Sequence, residues 1–511
     1  MGQHCMKHFL SVVLLAALVG CGDSDSTDLP VFDVKISNAS LIDGLGNPAR
    51  PADVYIKDGL IASITGLDEL DVNVSQTIDA NGRIVSPGFI DVHSHGDPIQ
   101  TPDFSNFLAQ GVTTITLGQD GDSPQLTDLA PWIDEVQGGG IGVNIAMFVG
   151  HGTLRSLSGI GQNPNPSDED IQRLLALLNS ALDYSFGLST GLEYNPGLHA
   201  PESELVAMAR VVGERDRLIM SHMRNEDDDQ LETSIDELLS QGQYAKVHIA
   251  HLKSVYGKGA QRAQEILDIL ATARAQGIRL TADVYPYNAS YAGIALLFPV
   301  WSKTSEEFEI AKLDRRQELE EYLIRRITRR NGPDATLLAS QPYTGKTLAD
   351  LETELGLPFE KILIDVIGPQ GGSGAYFIMD DALQSRLLQD PFITVSSDGS
   401  PTGFHPRGHG TFAKIIEEYV IKRESLELVE AIRKMTSFAA SIVGISDRGS
   451  IQEGMAADLL IFDPSRVKAN ASYPDPLRLA EGFDVVMVNG EIAFFAAQAL
   501  PVRAGQMLKP N

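Results

Sequence analysis

The chain has 511 residues, 43% of them hydrophobic, and a formal net charge of −28. A chain of this length can bury a large core, and we expect one large domain with a small one attached. The negative charge would repel a phosphate backbone, and no basic stripe offsets it, which argues against nucleic acid as a partner. Such acidity is otherwise typical of a soluble protein and assigns no function.

Residues 1–21 predict an export signal. Lys7 and His8 precede an apolar run, Phe9 to Val19, that is short for a permanent membrane span. The run ends in Leu18-Val19-Gly20-Cys21, which resembles a bacterial lipobox, where Cys21 becomes the lipidated first residue. A polar tether, residues 22–30, follows. We expect a protein of the bacterial cell envelope, at the periplasmic face or outer membrane, that contacts the membrane only through its lipid anchor. An ordinary secretory signal is the alternative.

The cysteine count limits the chemistry of the folded body. Cys5 would leave with the signal and Cys21 would carry the lipid, and the chain has two cysteines. The mature body then has no free thiol, which excludes disulfides, thiolate metal ligands and a cysteine nucleophile.

Short alternating strands at both chain ends, residues 31–85 and 452–511, predict one small β-sandwich. Turn pairs such as Asp43-Gly44 and Asp58-Gly59 separate the first set of strands. A similar short strand-like run that ends in turn residues recurs from Asp484 to Gly490.

Between these ends, residues 86–451 predict an α/β fold, a (β/α)8 TIM-like barrel. Strand-like runs alternate with helix-like stretches, as in parallel βα units. The eight candidate strands are Gly88–Val92, Val112–Leu117, Val143–Val149, Phe186–Ser189, Leu218–Ser221, Lys246–Ala250, Ile278–Val284 and Phe392–Ser397. The stretch at about 289–345 lacks a strand signal and predicts an insertion over the barrel mouth.

Polar residues at the ends of these strands predict a metal centre. His93 and His95, spaced by one residue, point to the same side, so both imidazoles can reach one cation. Comparable positions after other strands are held by Asp120, His222, His251 and Asp398. Any one of them alone would ordinarily be a structural histidine or a helix-capping aspartate, but together they favour a site for zinc or a similar divalent ion.

Further motifs occur in a fixed order along the chain. They are Ser86-Pro87-Gly88-Phe89-Ile90-Asp91, Gly111-Val112-Thr113-Thr114, Gly150-His151-Gly152-Thr153-Leu154-Arg155, Gly187-Leu188-Ser189-Thr190-Gly191-Leu192-Glu193-Tyr194, Ser221-His222-Met223-Arg224, Asp283-Val284-Tyr285-Pro286-Tyr287, Ser397-Asp398-Gly399, His405-Pro406-Arg407 and Gly410-Thr411-Phe412. Together they resemble the amidohydrolase superfamily and, within it, the N-acyl-D-amino acid deacylase (D-aminoacylase) family. The similarity covers nearly the whole mature chain.

The resemblance implies one tight zinc position and a second, weaker one. The tight position would use His222, His251 and Asp120, and the second would lie near His93, His95 and Asp398. Well-known members carry cysteine in a Gly-Asn-Cys-Gly run where this chain reads Gly118-Gln119-Asp120-Gly121. A carboxylate can also bridge metals, but metal preference and metal number stay open. Asp122 is a less favoured substitute.

The implied reaction is hydrolysis of the amide bond of an N-acyl-D-amino acid to a carboxylate and a free D-amino acid. Asp398 is the expected proton acceptor and donor, with a role as ligand only as the alternative. The carboxylate of this small-molecule substrate requires a clamp. By resemblance the candidates are Lys253, Tyr194, Tyr285 and Arg407, each of which could instead be a solvated charge or a core aromatic.

Four other histidines are expected to be structural or to orient the metal-binding imidazoles. They are His151, His199, His248 and His409. His248 alternates away from His251 along the strand, so we expect it to face the outer layer of the barrel.

Alternative activities make different demands on the same residues. Hydantoinases typically use a carboxylated lysine after the fourth strand, where this chain has Ser189-Thr190-Gly191. Purine-type deaminases usually show His-x-x-Glu, but Asn225 lies three places after His222. A dipeptidase for peptides with a C-terminal D-amino acid is the main alternative, since the same clamp would serve it, although no acidic partner for a free amine is evident. A non-catalytic surface binding protein is a distant alternative.

Overall fold

The computed structural model describes residues 29–67 and 70–510. The predicted signal segment, the lipidation residue Cys21 and residues 22–28 of the tether lie outside these ranges. Among the described helices, none combines the length and apolar character needed to cross a bilayer.

The first five strands form a small β-domain. Their bounds are β1 Val31–Leu41, β2 Arg50–Lys57, β3 Leu60–Thr65, β4 Asn73–Asp79 and β5 Ile84–Pro87. β1 pairs antiparallel with β2 and parallel with β4 and β5. Asp58 and Gly59 have φ of 52° and 75°, the left-handed pair that a tight hairpin between β2 and β3 requires.

Parallel strands then begin the barrel. Their bounds are β6 Phe89–Asp91, β7 Val112–Leu117, β8 Asn144–Met147, β9 Val149–Gly150, β10 Gly187–Gly191, β11 Leu218–His222, β12 Lys246–Ile249 and β13 Leu280–Val284. β8 and β9 are two halves of one barrel strand, interrupted at Phe148. The strands are almost fully buried, because helices cover the outside of a parallel sheet and side chains fill its inside.

Helices follow most of these strands. Their bounds are α1 Ser105–Leu108, α2 Ala130–Gly139, α3 His151–Leu157, α4 Asp168–Ala181, α5 Glu202–Glu214, α6 Leu231–Gly242 and α7 Gly259–Ala275. The N-cap of α4 is Ser167, whose side chain accepts from the Asp170 N–H while the Asp170 carboxylate accepts from the Ser167 N–H. This reciprocal cap sets the start of the helix.

An insertion with its own core separates the seventh and eighth barrel strands. It contains β14 Ser290–Gly293, β15 Thr336–Leu338, β16 Ser373–Tyr376, α8 Ser305–Asp314, α9 Arg316–Arg329, α10 Leu348–Leu355 and α11 Phe359–Ile362. Its sheet has the order β14-β16-β15, and its apolar core reaches Ile378. The insertion therefore extends beyond the predicted end near residue 345 and does contain strands. These strands are short and partly rich in glycine, so they carry no apolar run that a sequence pattern could detect.

The eighth strand, β17 Ile393–Val395, closes the barrel. β17 pairs with β13, and a bridge between Ser94 and Gly399 joins the ends of β17 and β6. The ring β6-β7-β8/β9-β10-β11-β12-β13-β17 confirms the predicted (β/α)8 barrel. Helix α12 Asp381–Leu388 precedes β17, and three helices follow it: α13 Arg407–Lys414, α14 Leu428–Arg433 and α15 Ala439–Val443.

The chain ends in strands that return to the small β-domain. They are β18 Leu459–Phe462, β19 Phe483–Val488, β20 Glu491–Phe495 and β21 Gln498–Ala499. β18 pairs with β5, so both chain ends share one continuous nine-stranded sheet. The last residues depart from the prediction that assigned 452–511 to this domain, because Gly505 and Met507 pair with Ile141 and Ile145 at the barrel wall.

Candidate metal centre

The six predicted ligands converge at the carboxyl ends of the barrel strands. His222 is the last residue of β11, and the other ligands lie two to four residues beyond the ends of β6, β7, β12 and β17. The strand ends of a parallel barrel meet on one face. Residues distant in sequence therefore share one pocket.

The first group of ligand atoms comes from His93, His95, Asp120 and Asp398, and these atoms lie within 4.8 Å of one another. His95 Nε2 lies 3.3 Å from Asp120 Oδ2 and 3.2 Å from Asp398 Oδ1. His93 Nε2 lies 3.3 Å from Asp120 Oδ1 and 3.7 Å from Asp398 Oδ1. Two imidazoles and two carboxylates thus surround one point.

The second group comes from Asp120, His222 and His251. Asp120 Oδ1 lies 3.4 Å from His251 Nε2 and 3.7 Å from His222 Nδ1. The same two nitrogens face each other at 2.9 Å. Asp120 therefore belongs to both groups, and its two oxygens reach all four imidazoles.

The residues fit a bound divalent cation. Within the part of the chain that the structure describes, both ring nitrogens of His93 are buried without a hydrogen-bond partner, although a buried polar atom normally has one. A cation among His93, His95, Asp120 and Asp398 would satisfy Nε2. The donors are imidazole nitrogen and carboxylate oxygen only, a set that suits zinc and similar first-row ions.

Three of the predicted ligands have a left-handed backbone. Asp120, His251 and Asp398 have φ of 54°, 37° and 48°. This conformation is unfavourable for residues with a side chain and persists where surrounding contacts enforce it, often at functional sites. The loop of Asp120 also needs a glycine beside it, because a Cβ on Gly191 would lie 2.0 Å from the Asp120 carbonyl oxygen.

Asp398 is held as a carboxylate. Burial opposes its ionisation, but Arg407 and the neighbouring His251 and His95 hold the pKa of Asp398 well below its usual range. Its Oδ1 faces His95, and its Oδ2 lies 2.7 Å from Arg407 Nη1. One oxygen thus faces the ligand cluster while the other is paired with a fixed cation.

Arg407 is positioned by a neutral histidine. His405 Nδ1 accepts from the Arg407 N–H at 3.1 Å, and His405 Nε2 donates to the Ala289 carbonyl at 3.1 Å. Burial holds the pKa of His405 well below its usual range, so the ring is uncharged and adds no repulsion to Arg407. The guanidinium also lies 4.9 Å above the ring of Tyr285, a favourable cation–π arrangement.

The four predicted substrate-binding residues line one cleft beside the ligands. Lys253, Tyr194, Tyr285 and Arg407 border a narrow space with Asp120, His222, His251 and Asp398. An adjoining cavity of about 220 Å³ is bordered by Tyr194, Arg407, His95 and Tyr291. Lys253 is already engaged, since its Nζ lies 2.7 Å from both Glu226 Oε1 and His251 Nδ1.

Sequence patterns missed two carboxylates at this site, Glu193 and Glu226. Glu193 Oε2 lies 3.3 Å from His222 Nε2, and Glu226 Oε1 lies 3.2 Å from His251 Nδ1. Each thus contacts the ring nitrogen that faces away from Asp120 and can orient that ring. Both follow barrel strands, β10 and β11, by two and four residues, so the strand-end position could have indicated them.

The orientation expected for His248 is wrong. His248 is buried, and its Nε2 lies 2.7 Å from Asp283 Oδ2 inside the barrel. The alternation from His251 does not hold, because β12 ends at Ile249 and His251 has a left-handed backbone. Both side chains can therefore point inward.

The other predicted supporting residues lie outside the ligand cluster. His151 Nε2 lies 2.7 Å from Glu204, which also pairs with Arg155. His199 contacts Asn195, and His409 is buried on α13. Asp122, the less favoured substitute for Asp120, contacts Thr153 at 3.4 Å.

A barrel with a mixed histidine and carboxylate centre at its strand ends is the architecture of a metal-dependent hydrolase, and relatives specify the class. Residues 341–494 match the model of an amidohydrolase family. The chain is 31% identical to the N-acyl-D-glutamate deacylase of Alcaligenes xylosoxydans, covering 94% of this chain and 96% of the relative. It is 30% identical to the N-acyl-D-aspartate deacylase of the same organism, covering 94% and 95%.

Solved structures agree with these relatives. The N-acyl-D-glutamate deacylase of Bordetella bronchiseptica, complexed with zinc and a phosphonate mimic of the tetrahedral intermediate, matches with a TM-score of 0.80 at 30% identity, covering 94% of this chain and 99% of that one. A D-aminoacylase structure matches with a TM-score of 0.80 at 26% identity, covering 94% and 100%. The chain belongs to the N-acyl-D-amino acid deacylase family of the amidohydrolases, as its motifs predict.

Proposed function

We propose that this chain is a zinc-dependent amidohydrolase that cleaves the linear amide bond of N-acyl-D-amino acids to a carboxylate and a free D-amino acid. The observation that carries the proposal is the position of Asp120, whose two oxygens face four imidazoles next to the Asp398–Arg407 pair. The names of the relatives support the substrate class.

Zinc bound here would lower the pKa of a water molecule and polarise the scissile carbonyl. The residues that would hold it are His222, His251 and Asp120, with His93, His95 and Asp398 at the second, weaker position. No protein nucleophile is needed for this chemistry, consistent with the absence of cysteine from the sequence of residues 22–511.

Asp398 would move the proton. It is ionised at neutral pH, because Arg407 and nearby imidazoles lower its pKa despite burial. The Oδ1 atom on the cluster side can accept a proton from the attacking water and deliver it to the departing amide nitrogen. The pair with Arg407 holds Oδ2 and so fixes the direction of Oδ1.

Two cations in the cleft would attract the substrate carboxylate, and Lys253 would do so while its Nζ stays paired with Glu226. Arg407 can offer a planar guanidinium and Lys253 a point charge, and both border the space beside Asp398. The tyrosines Tyr194 and Tyr285 border the same space. Their hydroxyl groups would add hydrogen bonds, which would order the substrate before attack.

Metal content and substrate chirality test the proposal together. Purified protein should carry about one to two equivalents of zinc, lose activity on dialysis against a chelator and regain it with added zinc. It should hydrolyse N-acetyl-D-amino acids far faster than the L-enantiomers. A fully active metal-free preparation, or equal rates on both enantiomers, would contradict it.

Glu193 favours a second candidate, hydrolysis of dipeptides with a C-terminal D-residue. Its carboxylate borders the cleft, and His222 is its one ion-pair contact within 4 Å among the residues the structure describes. A carboxylate without a lysine or arginine partner could accept the free ammonium group of an N-terminal residue.

The ratio of two activities tests this second candidate. Glu193→Gln should lower kcat/KM for an L-Xaa-D-Xaa dipeptide about tenfold more than for the N-acetyl-D-Xaa substrate, because only the dipeptide has an ammonium group. The acylated substrate is the internal control for effects through His222. Equal losses for both would exclude Glu193 from amine recognition.

We further propose export and lipid attachment at Cys21, supported by the apolar run and the lipobox-like residues before it. A radiolabelled fatty acid should be incorporated by the wild-type chain in a bacterial host and not by Cys21→Ser. Equal labelling of both would contradict the anchor.

A further inference from the structure

A carboxylate that the proposed mechanism does not use lies at the centre of a buried hydrogen-bond network. Asp283, near the end of β13, is fully buried. Its Oδ1 accepts from the backbone N–H of His251 at 2.9 Å and from the Ser396 hydroxyl. Its Oδ2 contacts His248 Nε2 at 2.7 Å. One side chain thus joins the ends of three neighbouring strands, β12, β13 and β17.

The network fixes the direction of these hydrogen bonds. His248 Nδ1 lies 2.7 Å from the Thr281 hydroxyl, which can donate to it. His248 Nε2 donates to Asp283, because an ionised carboxylate can only accept a hydrogen bond. Every other partner of the carboxylate is a donor, so the Asp283 side chain has a single favoured orientation.

The hydrogen bond between His251 and Asp283 lies at a residue with an unfavourable backbone conformation. His251 has a left-handed backbone with φ of 37°, and its own N–H donates to the Asp283 carboxylate. The neighbouring N–H of Leu252 donates to the Asp283 carbonyl at 2.7 Å. Asp283 therefore accepts hydrogen bonds from two successive peptide N–H groups in the loop that carries the predicted metal ligand His251.

We propose that Asp283, oriented by His248 and Ser396, is a positioning residue that holds His251 in its metal-binding conformation; this rests on the proposed metal-dependent function. Removing the acceptor would allow the His251 loop to relax from its left-handed conformation. His251 Nε2 would then leave the point it shares with Asp120 and His222. Outer residues of this kind commonly affect metal affinity by roughly 10- to 100-fold.

Zinc affinity and the visible spectrum of the cobalt-substituted protein test the proposal. Asp283→Ala should lose its zinc at a chelator concentration about 10- to 100-fold lower than the wild type requires. Its cobalt-substituted form should show an altered visible spectrum. Asp283→Asn should recover most of both, because its amide oxygen can still accept from His251. Wild-type zinc affinity with an unchanged cobalt spectrum in Asp283→Ala would overturn the proposal.

Asp458→Asn is the matched control. Asp458 is also a buried carboxylate with several donors around it, but its partners belong to the β-domain and the opposite end of the barrel. This variant should lose stability and keep zinc affinity and the cobalt spectrum. Loss of zinc in it as well would show a general effect of buried carboxylates and overturn the specific role of Asp283.

A milder variant keeps the test decisive if Asp283→Ala does not fold. Ser396→Ala leaves the carboxylate in place and removes one donor, so zinc affinity should fall a few-fold with a cobalt spectral change, and unchanged values would overturn the proposal. A wild-type protein that binds no metal would instead refute the proposed function, so the two failures are distinguishable.

Discussion

Asp120 and Asp398 are both carboxylates in the predicted ligand cluster, but their surroundings differ. Asp120 faces imidazoles with both oxygens. Asp398 shares its oxygens between His95 and Arg407. Asp120 is therefore suited to join two cations, and Asp398 is suited to move a proton.

Replacing Asp398 tests this division. Asp398→Asn should fold and bind zinc, because an amide oxygen can still act as a ligand, but kcat should fall by about 10²- to 10⁴-fold since proton transfer is lost. Steady-state kinetics with parallel zinc analysis would measure both effects. Asp122→Asn, a neighbouring change outside the ligand cluster, should keep nearly full kcat. Wild-type kcat in Asp398→Asn would remove Asp398 from catalysis.

At the scale of elements, helix α13 is a buried helix that carries the proposed substrate-binding residue Arg407. Its first residue is Arg407, and nearly all its side chains are buried. The same helix carries His409, whose pKa burial lowers from 6.5 to about 4. His409 Nδ1 has no hydrogen-bond partner among residues 29–67 and 70–510. This helix therefore introduces an acid-sensitive group into the core.

The pH dependence of stability follows from that shift. Below pH 6.5 the unfolded chain binds a proton at His409 that the folded protein accepts only near pH 4, so stability falls across that window. The loss is up to about 3 kcal/mol. Urea unfolding at several pH values should show that the unfolding free energy of His409→Leu falls less steeply below pH 6.5 than that of the wild type. His199→Leu, at a more exposed histidine, should change this slope less. An unchanged slope in His409→Leu would contradict the assignment.

For the whole molecule, a buried ion pair joins the β-domain to the barrel. Arg448 Nη1 lies 2.6 Å from Asp458 Oδ2. Asp458 also accepts from Asn144 at the start of barrel strand β8 and from the backbone of Asn489. The junction lies at the amino ends of the strands, away from the ligands. It should therefore support the fold without contributing to chemistry.

Breaking the pair tests that separation. Arg448→Met should cost roughly 3–5 kcal/mol of unfolding free energy, because it leaves the Asp458 charge buried without its partner. The double variant Arg448→Met with Asp458→Asn should recover much of this loss. Denaturant unfolding would measure both, and kcat should stay near the wild-type value. A loss below about 1 kcal/mol in the single variant would be inconsistent with an uncompensated buried charge.

The barrel and the ligand candidates could be predicted from the sequence because their signals are local. Strands such as Val112–Leu117 are short apolar runs, and residues just beyond such runs, including His93 and Asp398, must gather at one face of a parallel barrel. The motifs also indicated the family, and relatives over 94% of the chain confirm it.

Only the tertiary structure decided how these residues share the site. Contacts between segments far apart in the chain place Asp120 between two ligand groups. The same kind of contact gives Glu193 and Glu226 their partners and builds the hydrogen-bond network around Asp283. Contacts between distant segments also set the inward direction of the His248 side chain and the extent of the insertion beyond residue 345. Left-handed residues beyond the strand ends break the simple alternation of side chains, and strand β16 is defined by distant partners rather than by its own composition.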